Sequence, residues 1–445
     1  MITQIDKNLY FFELENGARF ILYFNPNIEG LYLKSSVKVG FINDPEDKLG
    51  LTHLLEHILG EGTKSFPSSE ILADYIEERA GSYNLTTSRS QISFILSLPK
   101  KYLEDAIKIS KEIFFDPLFN NFENEKQVVI QEIKDRMASY DYELRLFEMQ
   151  SRFKKTNPLF YTYIYDPEKV KNIELNDIIS FWQNYFGPNN FCLALEGNFD
   201  IEKIEEMIKK YYENLPPKNI PQFEIKENPF LKEFLSFRSD PRLKITYVNI
   251  SLPLKLNQND FENWNRLDLI SNILVSMRTS RLYKILRKEK GLVYSIRIKS
   301  DLYEYNFPYV YLEFEAEMKN ILEILKIIKE VVFDFIQNGP TDSEFSKAKN
   351  YIVEKAQLLK DDPVVVTNGL MYFLLNYNRI FPIEDYIKII EKTEKEDLIE
   401  ILKKLDFDFL NICLQSPQKD QKILKEISKI INPQLIKNFY YHRKI

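Results

Sequence analysis

A strand followed by a long amphipathic helix occurs twice along this chain, and that repetition restricts the possible folds more than any other feature. In the first half, ISFILSL (92–98) alternates apolar and polar residues, the period of a half-buried strand. YLEDAIKISKEIFFDP then sets Leu103, Ala106, Ile107, Ile113 and Phe114 on one helical face. In the second half, YVYLEFEA (309–316) alternates in the same way and precedes ILEILKIIKEVVFDF, whose KEVVFDF echoes KEIFFDP. The apolar strands in NFCLALEGNFD (190–200) and FLNICLQSPQ (409–418) close the two halves. A duplicated domain accounts for this order and spacing, and the mixture of strands with long helices predicts an α/β or α+β class.

The chain has 445 residues, more than one hydrophobic core usually organises. NLPPKNIPQFEIKENPF (214–230), with four prolines and no sustained period, reads as an extended linker. The expected boundaries are a first domain at 1–213, a linker at 214–233 and a second domain at 234–445. Apolar residues at 44% and aromatics at 14% supply ample core for both.

Composition also narrows the partners. With 60 basic and 66 acidic residues, a formal charge of −6, the chain advertises no basic surface for nucleic acid or anionic lipid. The opening MITQIDKNLYFFELENG lacks a basic region followed by an apolar core, and no run approaches the roughly 18 apolar residues of a membrane span. A cytoplasmic protein is therefore expected. The two cysteines, Cys192 and Cys413, sit in apolar runs and read as reduced, buried thiols.

Histidine is scarce: only His53, His57 and His442 occur. GLTHLLEHILG (50–60) reads as a helix with Leu51, Leu54, Leu55 and Ile58 on one face and His53, Glu56 and His57 on the other. Imidazoles at i and i+4 stand one turn apart and can share a metal, with a carboxylate beside them. An ordinary polar helix face is the competing reading, and the concentration of two of three histidines there argues against it. His442 belongs to the lysine-rich tail KNFYYHRKI and is not assigned to metal.

A catalytic zinc usually takes three protein ligands and leaves one position for water. NEKQVVIQEIKDRM (124–137) offers Glu125 and Glu132 on one helical face, with Val128, Val129 and Ile133 expected to form its apolar remainder. Either glutamate could reach the metal.

These segments together resemble peptidase family M16, the pitrilysin-like and mitochondrial-processing-peptidase-like zinc peptidases. HxxEH reverses the HExxH signature, and the family carries a ligand glutamate some 75 residues later in a segment like E-x-x-x-V-I-x-E. Glu132 follows His57 by 75 residues. The resemblance implies one Zn²⁺ per chain held by His53, His57 and Glu132, with Glu125 as a supporting carboxylate and Glu56 as general base. AGSYNLTTSRSQISF looks like the family's GGxxNAxT strand, which puts Asn84 at the asparagine that borders substrate. SRLYKILRKEKGLVYSI (280–296) is similar to the segment whose arginine and tyrosine, here Arg287 and Tyr294, reach the site from the domain without zinc. The sequence departs from the family at Leu85, where alanine is usual, and at SNILVSMRT, where glycines are usual.

The implied fold is α+β, with two homologous domains, each a mainly antiparallel sheet flanked by helices. The implied activity is zinc-dependent endopeptidase action on peptides or small unfolded proteins, with a homodimer as the expected assembly. Some family members are non-catalytic partners, so a peptide-binding or assembly subunit is the alternative. A metal enzyme acting on other substrates is a third reading.

Overall fold

The computed structural model describes residues 2–257, 260–301 and 305–431. His442 and the rest of its tail lie outside the described residues. The chain is α+β with two sheets, each flanked by helices and belonging to one compact unit. The first unit comprises the chain through Tyr142, Tyr161–Phe223 and Leu359–Pro382. The second comprises Glu143–Phe160, Glu224–Leu358 and the chain from Ile383.

The first unit's strands are β1 (Thr3–Asp6), β2 (Leu9–Glu13), β3 (Arg19–Phe24), β4 (Gly30–Val37), β5 (Ser82–Thr87), β6 (Ile92–Pro99) and β7 (Phe191–Gly197). They lie in the order β1-β2-β3-β7-β4-β6-β5, antiparallel except for β3 beside β7. The second unit's strands are β8 (Leu235–Ser239), β9 (Thr246–Pro253), β10 (Ile296–Asp301), β11 (Tyr309–Ala316) and β12 (Asn411–Ser416), in the order β10-β11-β9-β12-β8. Only β12 and β8 run parallel. Read in the same direction, β8-β12-β9-β11-β10 repeats β3-β7-β4-β6-β5, so the sequence duplication is a duplicated topology. Cys192 on β7 and Cys413 on β12 occupy matching strands, both thiols free and buried. Burial pushes each thiol up to about 12.

Four helices position the site: α1 (Leu51–Gly60), α2 (Ser69–Glu77), α3 (Leu103–Phe115) and α4 (Phe122–Ala138). The apolar stripe of α1, Leu51, Leu54, Leu55 and Ile58, is fully buried in the first unit's core, as its period requires. On α4 the buried stripe is Val129, Ile130 and Ile133. Here the sequence expectation needs correcting: Val128 is 37% exposed and Ile130 only 3%. One residue moves the direction by about 100° on a helix, which turns Val128 away from the core that Val129 faces.

The N-terminus of α1 is fastened by Asp44, whose carboxylate accepts from the backbone of Gly50 at 2.8 Å and of Thr52 at 3.0 Å. Gly50 has φ +97°, and an added Cβ would stand 2.7 Å from Val170 Cγ2, so only glycine suits this entry to the helix. Burial pushes the Asp44 carboxyl up to about 7, against the opposing effect of those amide bonds.

Beyond α1 the chain is anchored by Glu112 of α3, which is buried and accepts from Thr63 Oγ1 at 2.9 Å, Ser65 N at 2.9 Å and Ser65 Oγ at 2.7 Å. Burial opposes its ionisation, yet these bonds outweigh it and hold the carboxyl below the ordinary glutamate range. Glu112→Ala is expected to destabilise the protein by about 1–3 kcal/mol at neutral pH, because the donors keep no partner. A depressed acid contributes stability above its unfolded pKa and loses it as pH falls through the lower folded value. The gap between variant and parent in denaturant titrations should therefore narrow below about pH 4. An equal gap at pH 3 and pH 7 would contradict the assignment.

Candidate metal centre

On α1, His53 and His57 stand one turn apart, with ring centroids separated by 5.0 Å. Glu132 of α4 reaches between them: its Oε2 lies 3.3 Å from His53 Nε2 and 3.7 Å from His57 Nε2. One donor atom from each of the three falls within 4.8 Å of the others, a spacing that could hold a metal ion. Both histidines therefore present Nε2 to a single point.

The protonation pattern agrees with ligation. His57 Nδ1 is 3.0 Å from Glu125 Oε2, so Nδ1–H donates to that carboxylate, the tautomer that would offer Nε2 to a metal. His53 is 7% exposed. Burial pushes its pKa down to about 4, reinforced by His57 and Arg136, and keeps the imidazole neutral at pH 7. Two imidazoles and a carboxylate are the ligand chemistry of catalytic zinc sites, so these residues fit the ion that the sequence implies.

Glu56 precedes His57 and is not one of the three converging groups. Burial raises its pKa, while His57 and a 3.4 Å bond donated by Thr87 Oγ1 favour the ionised form. Thr87 ends β5, the edge strand, which pairs with β6 alone among the described residues. Asn84 lies on the same strand with its side chain exposed. Glu56, His57, Tyr83, Asn84, Leu85 and Glu125 help to line an open pocket of about 330 Å³ beside the histidines.

Glu125, Glu132, His53, His57, Glu56 and Asn84 thus share one region of the first unit. Arg287 and Tyr294 belong to the second, where the guanidinium lies 4.9 Å from the centre of the Tyr294 ring and that ring is 74% exposed. The sequence reading did not single out Asp44, Thr87 or Arg136. Arg136 had a usable signal, since it follows Glu132 by four residues on α4.

A family model described as "Insulinase (Peptidase family M16)" matches residues 25–166, and one described as "Peptidase M16 inactive domain" matches residues 172–352. The chain belongs to peptidase family M16. Within M16, it is 25% identical over 233 residues to the insulin-degrading enzyme of Bos taurus, an alignment covering 50% of this chain and 23% of that protein. The chain thus matches only about a quarter of the length of that relative. It is 26% identical over 322 residues to the "Non-peptidase homolog YmxG" of Helicobacter pylori, covering 71% of this chain and 72% of the other. The structure of a "peptidase M16 inactive domain" from Pseudomonas fluorescens superposes with a TM-score of 0.80 at 18% identity, over 93% of this chain and 99% of that one. M16 relatives thus include proteins named as peptidases and one named as a non-peptidase. No described helix is long and apolar enough to cross a membrane.

Proposed function

We propose that this M16 chain is a zinc-dependent endopeptidase that hydrolyses peptides or small unfolded proteins. The observation that carries this reading is the convergence of His53 Nε2, His57 Nε2 and Glu132 Oε2 beside a half-buried Glu56 that is not one of the converging groups. A bound Zn²⁺ would supply polarisation of the scissile carbonyl and acidification of water.

The protein's own groups carry the remaining work. Glu56 accepts the proton of the attacking water and returns it to the leaving amine. Its burial suits that cycle, because a carboxyl with a raised pKa holds a proton better than an exposed one. Glu125 keeps His57 in the tautomer that offers Nε2. The open edge of β5 beside Asn84 binds substrate as an added strand through backbone hydrogen bonds, with little demand on side-chain identity. Arg287 and Tyr294 are assigned on the resemblance of SRLYKILRKEKGLVYSI. Their guanidinium and phenol would donate to the carbonyl or its oxyanion, within one chain or from a second copy in a homodimer.

A non-catalytic peptide-binding subunit is the second reading, favoured by the relative named as a non-peptidase homolog. The intact His53, His57, Glu132 and Glu56 set argues for catalysis. Incubating unstructured peptides with the protein and following them by mass spectrometry should show internal cleavage that a chelator stops and added zinc restores. Intact peptides in every arm would move the assignment to the binding subunit.

A further inference from the structure

The line of residues that supplies Glu125 and Glu132 continues to Arg136. On a helix of 3.6 residues per turn, positions 125, 132 and 136 fall within about 40° of one another. The face of α4 turned to the histidines therefore runs from an acidic end to a cationic one. At the acidic end Glu61 and Glu125 border the open pocket. At the other, Arg136 is exposed, and its charge reaches both His53 and Glu56.

The arginine is oriented by a tyrosine. Its Nη1 donates to Tyr165 Oη at 3.1 Å, and the guanidinium carbon stands 5.6 Å from that ring's centre. Tyr165 is itself placed by Tyr142, whose hydroxyl accepts from the Tyr165 amide at 3.2 Å and whose ring lies 5.3 Å away. Among the described residues Arg136 makes no ion pair, and one bond to a phenol leaves most of its five N–H donors for a ligand. An oriented guanidinium without a carboxylate partner is suited to bidentate capture of one.

The geometry points to Arg136 as a specificity residue that selects peptides carrying a carboxylate close to the scissile bond. The inference rests on the proposal that this cleft takes peptides. Four helical steps lead from Glu132 to Arg136, about 6 Å along the axis, which an extended chain covers in about two residues. The carboxylate belongs to an Asp or Glu side chain or to a free C-terminus within that reach.

The test separates binding from turnover by using the full chain as zinc-loaded Glu56→Gln. Fluorescein-labelled unstructured peptides, each with one Asp or the matching Asn and each amidated or free at the C-terminus, are titrated by fluorescence anisotropy. Asp peptides, free-acid peptides or both should bind about tenfold more tightly than their neutral counterparts, the factor that one charge-assisted hydrogen-bonded pair supplies. The amidated arm tells side chain from terminus. Adding Arg136→Gln should erase the ratio, Arg136→Lys should restore part of it, and Arg136→Glu should turn the preference towards a Lys peptide. A merely structural role would weaken all peptides together and invert nothing. Equal binding of acidic and neutral peptides, a ratio untouched by Arg136→Gln, or no binding at all would overturn the inference. Because no bond is cleaved in this assay, a silent hydrolysis assay would count against the peptidase proposal and leave the charge preference standing.

Discussion

Glu56→Gln is expected to keep one zinc per chain and to lower peptide hydrolysis by roughly a hundred- to ten-thousandfold, the usual contribution of a positioned general base. Gln has nearly the shape of Glu and can still accept the 3.4 Å bond from Thr87 Oγ1, so the fold around it should persist. It cannot take a proton from water. Since Glu56 is not among the three converging groups, its loss should leave the donor set intact. Metal content after dialysis and kcat on one fluorogenic peptide measure the two quantities separately. Turnover within a few-fold of the parent would refute the general-base role. Loss of metal together with activity would recast Glu56 as a ligand.

The opposite pattern is expected from His53→Ala. Removing one of three ligands should cost more than removing a partner that only orients a ligand, for which losses in metal affinity of about 10–100-fold are usual. Glu125→Gln tests that lesser case, because it weakens the bond fixing His57 Nδ1 and leaves all three ligand atoms in place. Dialysed His53→Ala should hold no stoichiometric zinc, while Glu125→Gln should hold zinc more weakly than the parent. Thermal unfolding supplies an independent reading. Zinc at 100 times its dissociation constant stabilises a native protein by about 2.7 kcal/mol, so added zinc should raise the midpoint of the parent and leave His53→Ala unmoved. Full metal occupancy in His53→Ala would contradict the ligand assignment.

Both predictions begin from features of α1 that are local in sequence. The 3.6-residue period puts Leu51, Leu54, Leu55 and Ile58 on the buried face, and i, i+4 spacing brings His53 and His57 one turn apart. No long-range contact is needed to read either. The alternation in β6 and β11 was legible for the same reason, as was the repetition that appears as a shared strand order. On α4 the period identified the pairing of Glu125 with Glu132 and misjudged Val128. Several apolar residues in a row leave the stripe's direction uncertain by one position, and packing against the core decides it.

Other parts of the site depend on partners distant in sequence. Glu112 is one of 66 acidic residues until the fold brings it to Thr63 and Ser65. Thr87 meets Glu56 only because β5 runs beside α1, and Arg136 stands over Tyr165 only after the chain returns from the end of α4. The segments Glu143–Phe160 and Leu359–Pro382 join units other than the sequence halves in which they lie, and an amphipathic period does not say which sheet a helix will cover.

The sequence by itself determined the duplicated α+β plan, the paired histidines and the glutamate spacing, because helical and strand periods act over a few residues. Periodicity left open which glutamate stands at both Nε2 atoms and which holds Nδ1; the family resemblance implied Glu132 and Glu125 in those roles, and tertiary structure supplies the contacts. Glu125 and Glu132 are seven residues apart on one face, equivalent to any rule of periodicity. Only the crossing of α4 over α1 sets one at 3.0 Å from His57 Nδ1 and the other at 3.3 Å from His53 Nε2.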